Sequence, residues 1–275
     1  MAILLSARQV CKSYVLGKDN AHQALRDVSM DLDDGEFVSV MGPSGSGKST
    51  LLYSVSGMDK ITGGSVLFGG DEISSMTENE LAFMRLTKMG FVFQQSNLLK
   101  NLSIFDNIVV AAYLGGREDR SAINARAERL MEQTGILYLK DNDITQASGG
   151  ELQRASICRA LINEPAILFG DEPTGALNST SASEVMDIFC GVNSRGAAVM
   201  LVTHDMKVAA RSDRVLYMLD GEIKGERRLG RYTPGGFQPI WRPSGENQPG
   251  ENPSYMIDLK EREAGLAAWL SDMGF

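Results

Sequence analysis

The sequence predicts an α/β fold with a mostly parallel β-sheet core, an N-terminal antiparallel β region and a helical insertion. Three observations predict this fold. From about residue 166 onward, strands and helices alternate, and the strands are almost continuously apolar, as expected for a parallel sheet covered on both faces. A glycine-rich loop joins an early apolar strand to a helix. The middle of the chain has helical patterns, so it is predicted to be an insertion in the sheet.

The first third of the chain is predicted to be mainly β-strand. Apolar residues alternate with polar ones along Ala24–Leu32, and a short apolar run follows a turn at Asp33–Gly35. Thr77 and Glu80 have the spacing of a capping box and predict a helix that continues to about Lys88. The other predicted elements here are a strand from residue 3, strands Glu36–Met41, Ser65–Phe68 and Gly90–Gln94, and a helix from Lys48 to about Met58.

Three helices are predicted in the middle of the chain, two of them with a serine as the N-cap. They run over Ser103–Tyr113, Ser121–Thr134 and Gly149–Ile162. Strands and helices then alternate, which indicates parallel strands joined by crossover helices. The predicted elements are strand Ala166–Gly170, helix Ser179–Ser194, strand Ala197–Val202, helix Met206–Arg211, strand Arg214–Leu219 and a last strand near Glu222–Glu226.

Composition and charge disfavour several classes of protein. The 275 residues carry a formal net charge of −8, which disfavours a nucleic-acid partner because such partners need cationic surface. Three widely separated cysteines and two histidines predict neither a disulfide framework nor a structural zinc site. No stretch approaches the roughly 18 apolar residues of a membrane helix. A function at a membrane would therefore depend on docking to a partner that spans it.

The composition predicts three regions. Residues 1–228 are expected to form one domain, with a helical subdomain at about 95–162. Residues 229–256 are rich in proline and glycine and predict a linker. Residues 257–275 regain helical spacing, with Leu259, Leu266 and Leu270 on one face. This helix is compatible with a dimer clasp, a docking helix or a regulatory lid.

A glycine-rich segment at residues 42–50, here called the phosphate loop, has the pattern of a phosphate-binding motif between a strand and a helix. Its glycines allow backbone N–H groups to face phosphate oxygens, and the helix N-terminus adds a positive dipole end. Lys48 is expected to reach the β- and γ-phosphates of ATP, and the Ser49 hydroxyl to bind Mg²⁺. The predicted binding residues are Gly42, Pro43, Ser44, Gly45, Ser46, Gly47, Lys48, Ser49 and Thr50.

Two carboxylates follow the predicted strand Ala166–Gly170. The strand delivers Asp171 to the carboxyl end of a parallel sheet, where ligands bind in doubly wound folds. Asp171 is expected to hold Mg²⁺, and Glu172 to act as general base for the attacking water or to orient it. Together with the phosphate loop, this pair predicts a nucleoside triphosphatase.

Residues 147–154 read Ala-Ser-Gly-Gly-Glu-Leu-Gln-Arg, and residues 147–151 are here called the signature segment. They resemble the signature of the ABC ATPase family, Leu-Ser-Gly-Gly-Gln followed by a Gln-Arg pair. Ser148, Gly149 and Gly150 precede a helix and can form a second phosphate site. In the family this site meets the γ-phosphate of the nucleotide held by the opposite subunit. The chain departs from the pattern at Ala147 and Glu151.

The resemblance extends to four further motifs in order. Gln94 matches the glutamine that contacts Mg²⁺ or the lytic water and senses membrane partners. His204 matches the switch histidine that contacts the γ-phosphate. Asn178 stands where the family usually has an aspartate that couples the two sites. Tyr14 matches the aromatic residue that stacks on adenine, although Tyr14 alone also fits a strand surface or core position.

The resemblance implies an ATP-hydrolysing subunit of a membrane transport complex that binds ATP and Mg²⁺. It implies two copies that sandwich the nucleotides, integral-membrane permease subunits as partners, and a peripheral location at the cytoplasmic face of the membrane. The segment around Leu98, Leu99 and Leu102 is expected either to dock a permease helix or to pack in the core.

The branch that the chain resembles serves lipoprotein release, macrolide export and bacitracin-type peptide resistance, which implies export of, or resistance to, antimicrobial peptides or lipids. Two alternatives stay open. The first is a regulatory switch that uses ATP with little turnover, and the second is an ABC ATPase that acts on ribosomes or DNA.

Overall fold

The structure is a computed structural model that describes residues 2–15, 21–116, 118–232 and 259–274. The described chain divides into two compact units. The first contains residues 2–82, 200–232 and 259–274, and the second contains residues 83–199. One helix and one strand cross the division along the chain.

The elements of the first half follow the predicted order. They are β1 (Ile3–Val15), β2 (Ala21–Asp33), β3 (Phe37–Met41), α1 (Lys48–Val55), β4 (Gly63–Phe68), β5 (Asp71–Glu72), α2 (Glu78–Lys88), β6 (Met89–Phe93), α3 (Ile104–Gly115) and α4 (Arg120–Gln133). A short 3-10 turn at Ile73–Ser75 lies between β5 and α2.

The second half alternates helix and strand as predicted. Its elements are α5 (Gly149–Leu161), β7 (Ile167–Asp171), α6 (Ser179–Asn193), β8 (Ala198–Val202), α7 (Met206–Ala209), β9 (Arg214–Leu219), β10 (Glu222–Arg228) and α8 (Leu259–Asp272). Two further 3-10 turns, at Leu137–Leu139 and Ile144–Gln146, precede α5.

The N-terminal antiparallel region is a sheet of four strands in the order β2-β1-β4-β5, and it lies in the first unit. Strand β1 pairs antiparallel with β2 and with β4. Leu25, Val28, Met30 and Leu32 of β2 lie in the core. Val28, Met30 and Leu32 follow the period-2 pattern of a strand. Leu25 is out of phase with them and is buried because the β1–β2 register shifts between the pairs Val10↔Val28 and Lys12↔Leu25.

The first unit also holds strands in the order β10-β9-β3-β8, where β3 and β9 pair in parallel. All five residues of β3 are buried. A bidentate ion pair fixes the start of this strand: Arg214 Nε and Nη2 donate to the two Glu36 carboxylate oxygens at 2.7 and 2.8 Å. Both side chains are buried, and this geometry is the strong form of an arginine–carboxylate pair. It anchors the strand that leads into the phosphate loop.

In the second unit, β6 pairs in parallel with β7, and helix α5 packs directly on β6. The contact depends on Gly90, because a Cβ atom at this position would lie 2.7 Å from the Ala160 carbonyl oxygen and 2.8 Å from a Leu168 methyl carbon. The parallel pairing agrees with the predicted fold class.

The C-terminal helix α8 belongs to the first unit. Its apolar residues enter a cluster with Tyr217 of β9 and Met41 of β3. The α8 residues in this cluster are Leu259, Leu266, Trp269 and Leu270, and Met273, directly after the helix, packs with them. The spacing that predicted an apolar face is therefore correct, and this face packs within the chain's own fold.

Several predicted boundaries were wrong for identifiable reasons. Helix α1 ends at Val55 because Gly57 adopts a left-handed φ of 67°, which stops the helix. The N-cap of α4 is Asp119, whose carboxylate accepts the Ser121 N–H at 3.0 Å, so Ser121 lies inside the helix. Helix α7 is shorter than predicted and ends at Ala209. Most of the predicted linker at 229–256 lies outside the described residues.

Candidate functional site

The phosphate loop joins β3 to α1 and has the backbone of an anion cradle. Gly42, Gly45 and Gly47 have φ values of 154°, 81° and 97°, which residues with side chains rarely adopt. A Cβ at Gly42 would lie 2.1 Å from the Met218 carbonyl oxygen, so glycine is required there. A Cβ at Gly45 would meet no described atom within 4 Å, so the loop is open on that side.

The donors of the loop fit a phosphate group. Helix α1 begins after Gly47, and no side chain of the described residues caps its N-terminus. Uncapped N–H groups and the helix dipole favour an anion at this position. The Ser46 hydroxyl oxygen is buried and has no hydrogen-bond partner among the described residues. Ser44 and Ser49 complete a loop whose polar groups are donors suited to phosphate oxygens.

Lys48 is the first residue of α1, and it is only 7% exposed. Its ammonium group donates to the carbonyl oxygens of Gly42 and Pro43 at 2.9 and 2.8 Å. The side chain therefore folds back along the loop, so its charge lies within the cradle rather than in solvent.

Tyr14 and His204 belong to the same unit as the phosphate loop. Tyr14 lies near the end of β1, is 36% exposed, and has the Thr50 side chain as a hydrogen-bonding neighbour. His204 lies just beyond the end of β8. Thr203, which directly precedes it, donates its backbone N–H to the Val40 carbonyl oxygen at 3.1 Å. Because Val40 lies two residues before the loop, the exposed His204 stands at the sheet edge from which the loop starts.

Gln94, Asp171 and Glu172 come together in the second unit. Phe93 and Asp171 are register partners at the ends of the parallel strands β6 and β7, so Gln94 and Glu172 follow adjacent strand ends. A Cβ at Gly175 would lie 3.0 Å from Gln94 Nε2 and 3.3 Å from a Glu172 carboxylate oxygen. Both side chains therefore converge on one turn.

Glu172 has a strained backbone. Its φ is 47°, although it has a side chain, and its carbonyl accepts the Gly175 N–H at 3.0 Å in the turn that follows β7. Such conformations cost on the order of 1–3 kcal/mol and occur preferentially at functional sites. The strain is therefore an independent reason to single out this carboxylate.

The signature segment opens α5, also in the second unit. Ser148 is its N-cap and forms a reciprocal capping box with Glu151. Hydrogen bonds from the Ser148 hydroxyl, from Tyr138 and from the Ser148 N–H lower the pKa of the Glu151 carboxyl to about 2. The departure of Glu151 from the family pattern thus places an ionised carboxylate against the serine hydroxyl.

Gly150 and Asn178 both approach the start of α6. A Cβ at Gly150 would lie 2.8 Å from the Ser181 hydroxyl oxygen, so the glycine permits close packing of α5 on α6. Asn178 is the N-cap of α6 and accepts the Ser181 N–H at 2.9 Å. Gly149 is exposed beside Leu177. The structure therefore brings the signature segment next to the segment that contains Asn178.

Gln153 has a structural role at this site that the sequence motifs do not predict. This side chain is 2% exposed, and its amide donates to the carbonyl oxygens of Phe93 and Pro173, each at 2.8 Å. It connects α5 to the ends of β6 and β7, immediately beside Gln94 and Glu172. A polar residue on the apolar face of α5, four positions before Ile157, was the available signal.

The candidate docking segment is mixed in character. Leu98 is buried and Leu102 is half-buried, whereas Leu99 is 50% exposed. Packing in the core thus accounts for Leu98 but not for Leu99. Across the ranges that the structure describes, no helix combines the length and apolar character needed to cross a bilayer.

Comparison with known sequences identifies close relatives. The profile of the ABC transporter family matches residues 25–175. An uncharacterized ABC transporter ATP-binding protein of Methanocaldococcus jannaschii is 41% identical over 80% of this chain and 97% of that protein. The lipoprotein-releasing system ATP-binding protein LolD 1 of Chlorobium chlorochromatii is 38% identical over 82% of this chain and 92% of its own length.

Two other relatives extend the comparison. The macrolide export ATP-binding/permease protein MacB of Neisseria meningitidis is 40% identical over 80% of this chain, which corresponds to 34% of that longer protein. The dimeric, post-hydrolysis structure of the ATP-binding cassette MJ0796 with ADP and Pi matches with a TM-score of 0.77 and 35% identity. It covers 83% of this chain and 100% of that one. This chain belongs to the ABC transporter family.

Proposed function

We propose that this chain binds and hydrolyses ATP as the motor subunit of a membrane transport complex. The observation that carries the proposal is the phosphate loop, an open glycine cradle at an uncapped helix N-terminus with the Lys48 ammonium folded into it. Membership of the ABC transporter family supports the same conclusion. The reaction is ATP and water to ADP and phosphate.

In the first unit, we assign the phosphates to the loop. Backbone N–H groups of residues 42–50 would bind phosphate oxygens, Lys48 would neutralise the β- and γ-phosphates, and Ser49 would supply a Mg²⁺ ligand. Tyr14 would stack on the adenine base, and His204 would contact the γ-phosphate.

In the second unit, we assign the chemistry of hydrolysis. Asp171 and Gln94 would hold Mg²⁺, and Glu172 would take a proton from the attacking water or orient it. Bound Mg²⁺ would neutralise charge that develops on the phosphates. Ser148, Gly149 and Gly150 would form the second phosphate site, which acts on the nucleotide of another copy.

The active form is proposed to be a dimer that sandwiches two ATP molecules and docks on integral-membrane permease subunits at the cytoplasmic face of the membrane. The dimeric structures of a similar cassette support the first part. Relatives named for lipoprotein release and macrolide export support the second. Export of, or resistance to, antimicrobial peptides or lipids is the proposed substrate branch.

We also propose a domain organisation. Residues 1–228 would form the ATPase domain, with a helical subdomain at about 95–162, and residues 229–256 would link it to the extension at 257–275. In this organisation the motifs that carry the chemistry all lie within the ATPase domain. The extension would help to stabilise that domain.

A hydrolysis assay tests the proposed activity. Phosphate release from MgATP by the purified chain should fall by at least about 100-fold in Lys48→Ala and in Glu172→Gln, because each loses a group that acts on the γ-phosphate. Equal rates in all three proteins would contradict the enzymatic role. They would favour an ATP-dependent regulatory switch, an alternative consistent with the Glu151 carboxylate on the Ser148 hydroxyl.

A second experiment tests the partner. Affinity purification from membranes should recover a permease with the chain. Recovery of ribosomal RNA or DNA without a permease would contradict the transport role and favour an ABC ATPase that acts on nucleic acid.

A further inference from the structure

Lys12, Tyr14 and Asp59 of the first unit form a connected cluster of side chains between β1 and the segment that follows α1. The Tyr14 hydroxyl donates to one Asp59 carboxylate oxygen at 2.7 Å, and the Lys12 ammonium donates to the other at 2.5 Å. Lys12 also donates to the Lys60 carbonyl and lies 4.9 Å from the centre of the Tyr14 ring. One carboxylate thus binds both the tyrosine and the cation next to its ring.

The backbone explains why these groups meet. Lys12 and Tyr14 are two residues apart on β1, so they lie on the same face of the strand. Asp59 follows the end of α1, and its N–H donates to the Tyr53 carbonyl of that helix at 3.0 Å. Because α1 begins at Lys48, Asp59 connects Tyr14 to the far end of the helix that carries the phosphate loop.

The contacts constrain the ring at two points. The hydroxyl is fixed by Asp59, and Lys12 lies over the ring in cation–π geometry. Tyr14 is nevertheless 36% exposed as a residue, whereas Lys12 is only 7% exposed. A planar base can therefore stack on the exposed part of a ring whose orientation is already set, and preorganisation of this kind lowers the entropic cost of binding.

The ionisation of the cluster is consistent with this arrangement. Partial burial opposes ionisation of Asp59, but hydrogen bonds from Lys12 and Tyr14 outweigh it and lower the pKa of the carboxyl. Partial burial and the bond to Asp59 raise the pKa of the Tyr14 phenol. Asp59 is thus a carboxylate and Tyr14 a hydrogen-bond donor near neutral pH.

We infer that Asp59 is a positioning residue for nucleotide binding, which holds the Tyr14 ring in the orientation that stacks on adenine while Lys12 fixes the carboxylate. The inference rests on the proposed function, because it assigns a role to residues around the proposed ATP site. It predicts that Asp59 affects recognition of the base and not of the phosphates.

Two ligands separate these effects: MgATP, which has a base, and magnesium inorganic triphosphate, which has none. Dissociation constants are measured by calorimetry on the full chain with Glu172→Gln, so that ATP is not hydrolysed. Base–aromatic stacking is worth about 1–3 kcal/mol, or about 5- to 150-fold in a dissociation constant. Tyr14→Ala should raise the dissociation constant for MgATP by at least about 10-fold, and Asp59→Ala should raise it by about 5-fold. Both variants should leave the dissociation constant for magnesium triphosphate within about 2-fold of the parent value.

Further variants distinguish positioning from a general structural effect. Tyr14→Phe keeps the ring but loses the hydroxyl, so it should weaken MgATP about as much as Asp59→Ala. Asp59→Asn keeps an acceptor for Tyr14 and should restore part of the affinity. With Tyr14→Ala already present, Asp59→Ala should add less than about a 2-fold loss, because no ring remains to be positioned.

The outcomes are distinguishable. Weakening of both ligands to the same extent by Asp59→Ala, or of neither, would overturn the assignment of Asp59 and leave the ATP site itself intact. The assignment would also be overturned if Asp59→Ala caused as large a loss of MgATP affinity in the Tyr14→Ala background as it does alone. If the parent chain binds neither MgATP nor triphosphate, the proposed function itself is contradicted.

Discussion

The Glu151 carboxylate accepts both the hydroxyl and the backbone N–H of Ser148, each at 2.6 Å. Ser148 is the N-cap of α5 and the proposed phosphate contact of the signature segment. The same hydroxyl therefore has an intramolecular partner that carries negative charge. A phosphate oxygen at this serine would have to compete with the carboxylate.

The capping box should make stability depend on pH. Glu151 has a folded-state pKa of about 2 against an ordinary value of 4.5, so its stabilising contribution is present above about pH 4.5 and is lost as pH falls toward 2. The Glu151→Gln variant has no carboxylate at this position, so its stability lacks this pH-dependent contribution. The difference in urea midpoint between wild type and variant should shrink from pH 7 to pH 3. The pair is partly exposed, so the change should stay below about 1 kcal/mol. A difference that does not vary with pH would show that these hydrogen bonds do not stabilise the ionised Glu151 carboxylate.

Gln153→Met should destabilise the second unit. Methionine has a similar volume but cannot donate to the Phe93 and Pro173 carbonyls, which would lose partners in a buried region. The free energy of unfolding, measured in urea, should fall by about 2–4 kcal/mol. Gln133→Met, at an exposed position at the end of α4, is the matched control and should cost less than about 0.5 kcal/mol. Equal losses in the two variants would show that the amide bonds contribute nothing specific.

Two glycines of the phosphate loop should respond differently to alanine. Gly42→Ala places a Cβ 2.1 Å from the Met218 carbonyl oxygen, so the backbone must move. Gly45→Ala meets only open space, and its cost is the left-handed conformation at φ 81°, about 1–2 kcal/mol. In thermal unfolding without nucleotide, the midpoint temperature of Gly42→Ala should be well below that of Gly45→Ala. The reverse order would show that the loop backbone differs from the one described.

Arg262→Ala should destabilise the first unit through α8. The guanidinium is 5% exposed and donates at 2.6–2.9 Å to the carbonyl oxygens of Ala210, Ser212, Leu229 and Gly230. Loss of charged bonds to buried carbonyls should cost at least about 3 kcal/mol in chemical unfolding. Lys260→Ala removes a positive charge from an exposed position of the same helix and is the control. A similar loss in both would mean that charge, and not these bonds, holds α8.

Local patterns predicted the parts of this fold that depend on neighbouring residues. Thr77 donates its hydroxyl to Glu80 at 2.7 Å, as the capping-box spacing predicts. The face of α8 with Leu266 and Leu270 followed from helical periodicity alone. These features involve residues three or four apart, so one stretch of sequence contains the information.

Contacts between distant segments could not be predicted in this way. Gln153 binds carbonyls 60 and 20 residues away, and Tyr14 binds a carboxylate 45 residues away. Backbone carbonyls have no residue-specific signal, so the acceptors of Gln153 and Arg262 cannot be read from the sequence. The resemblance indicated which residues carry the chemistry, whereas the structure identified the groups that hold them.

The central proposal is that two copies of this chain enclose ATP, each with its phosphate loop and the other's signature segment. Sedimentation velocity of the Glu172→Gln chain, with saturating MgATP and with or without its permease, tests this most directly. We expect a monomer without nucleotide, a dimer with MgATP, and no dimer when Lys48→Ala is added. A chain that stays monomeric with saturating MgATP in both settings would contradict the account.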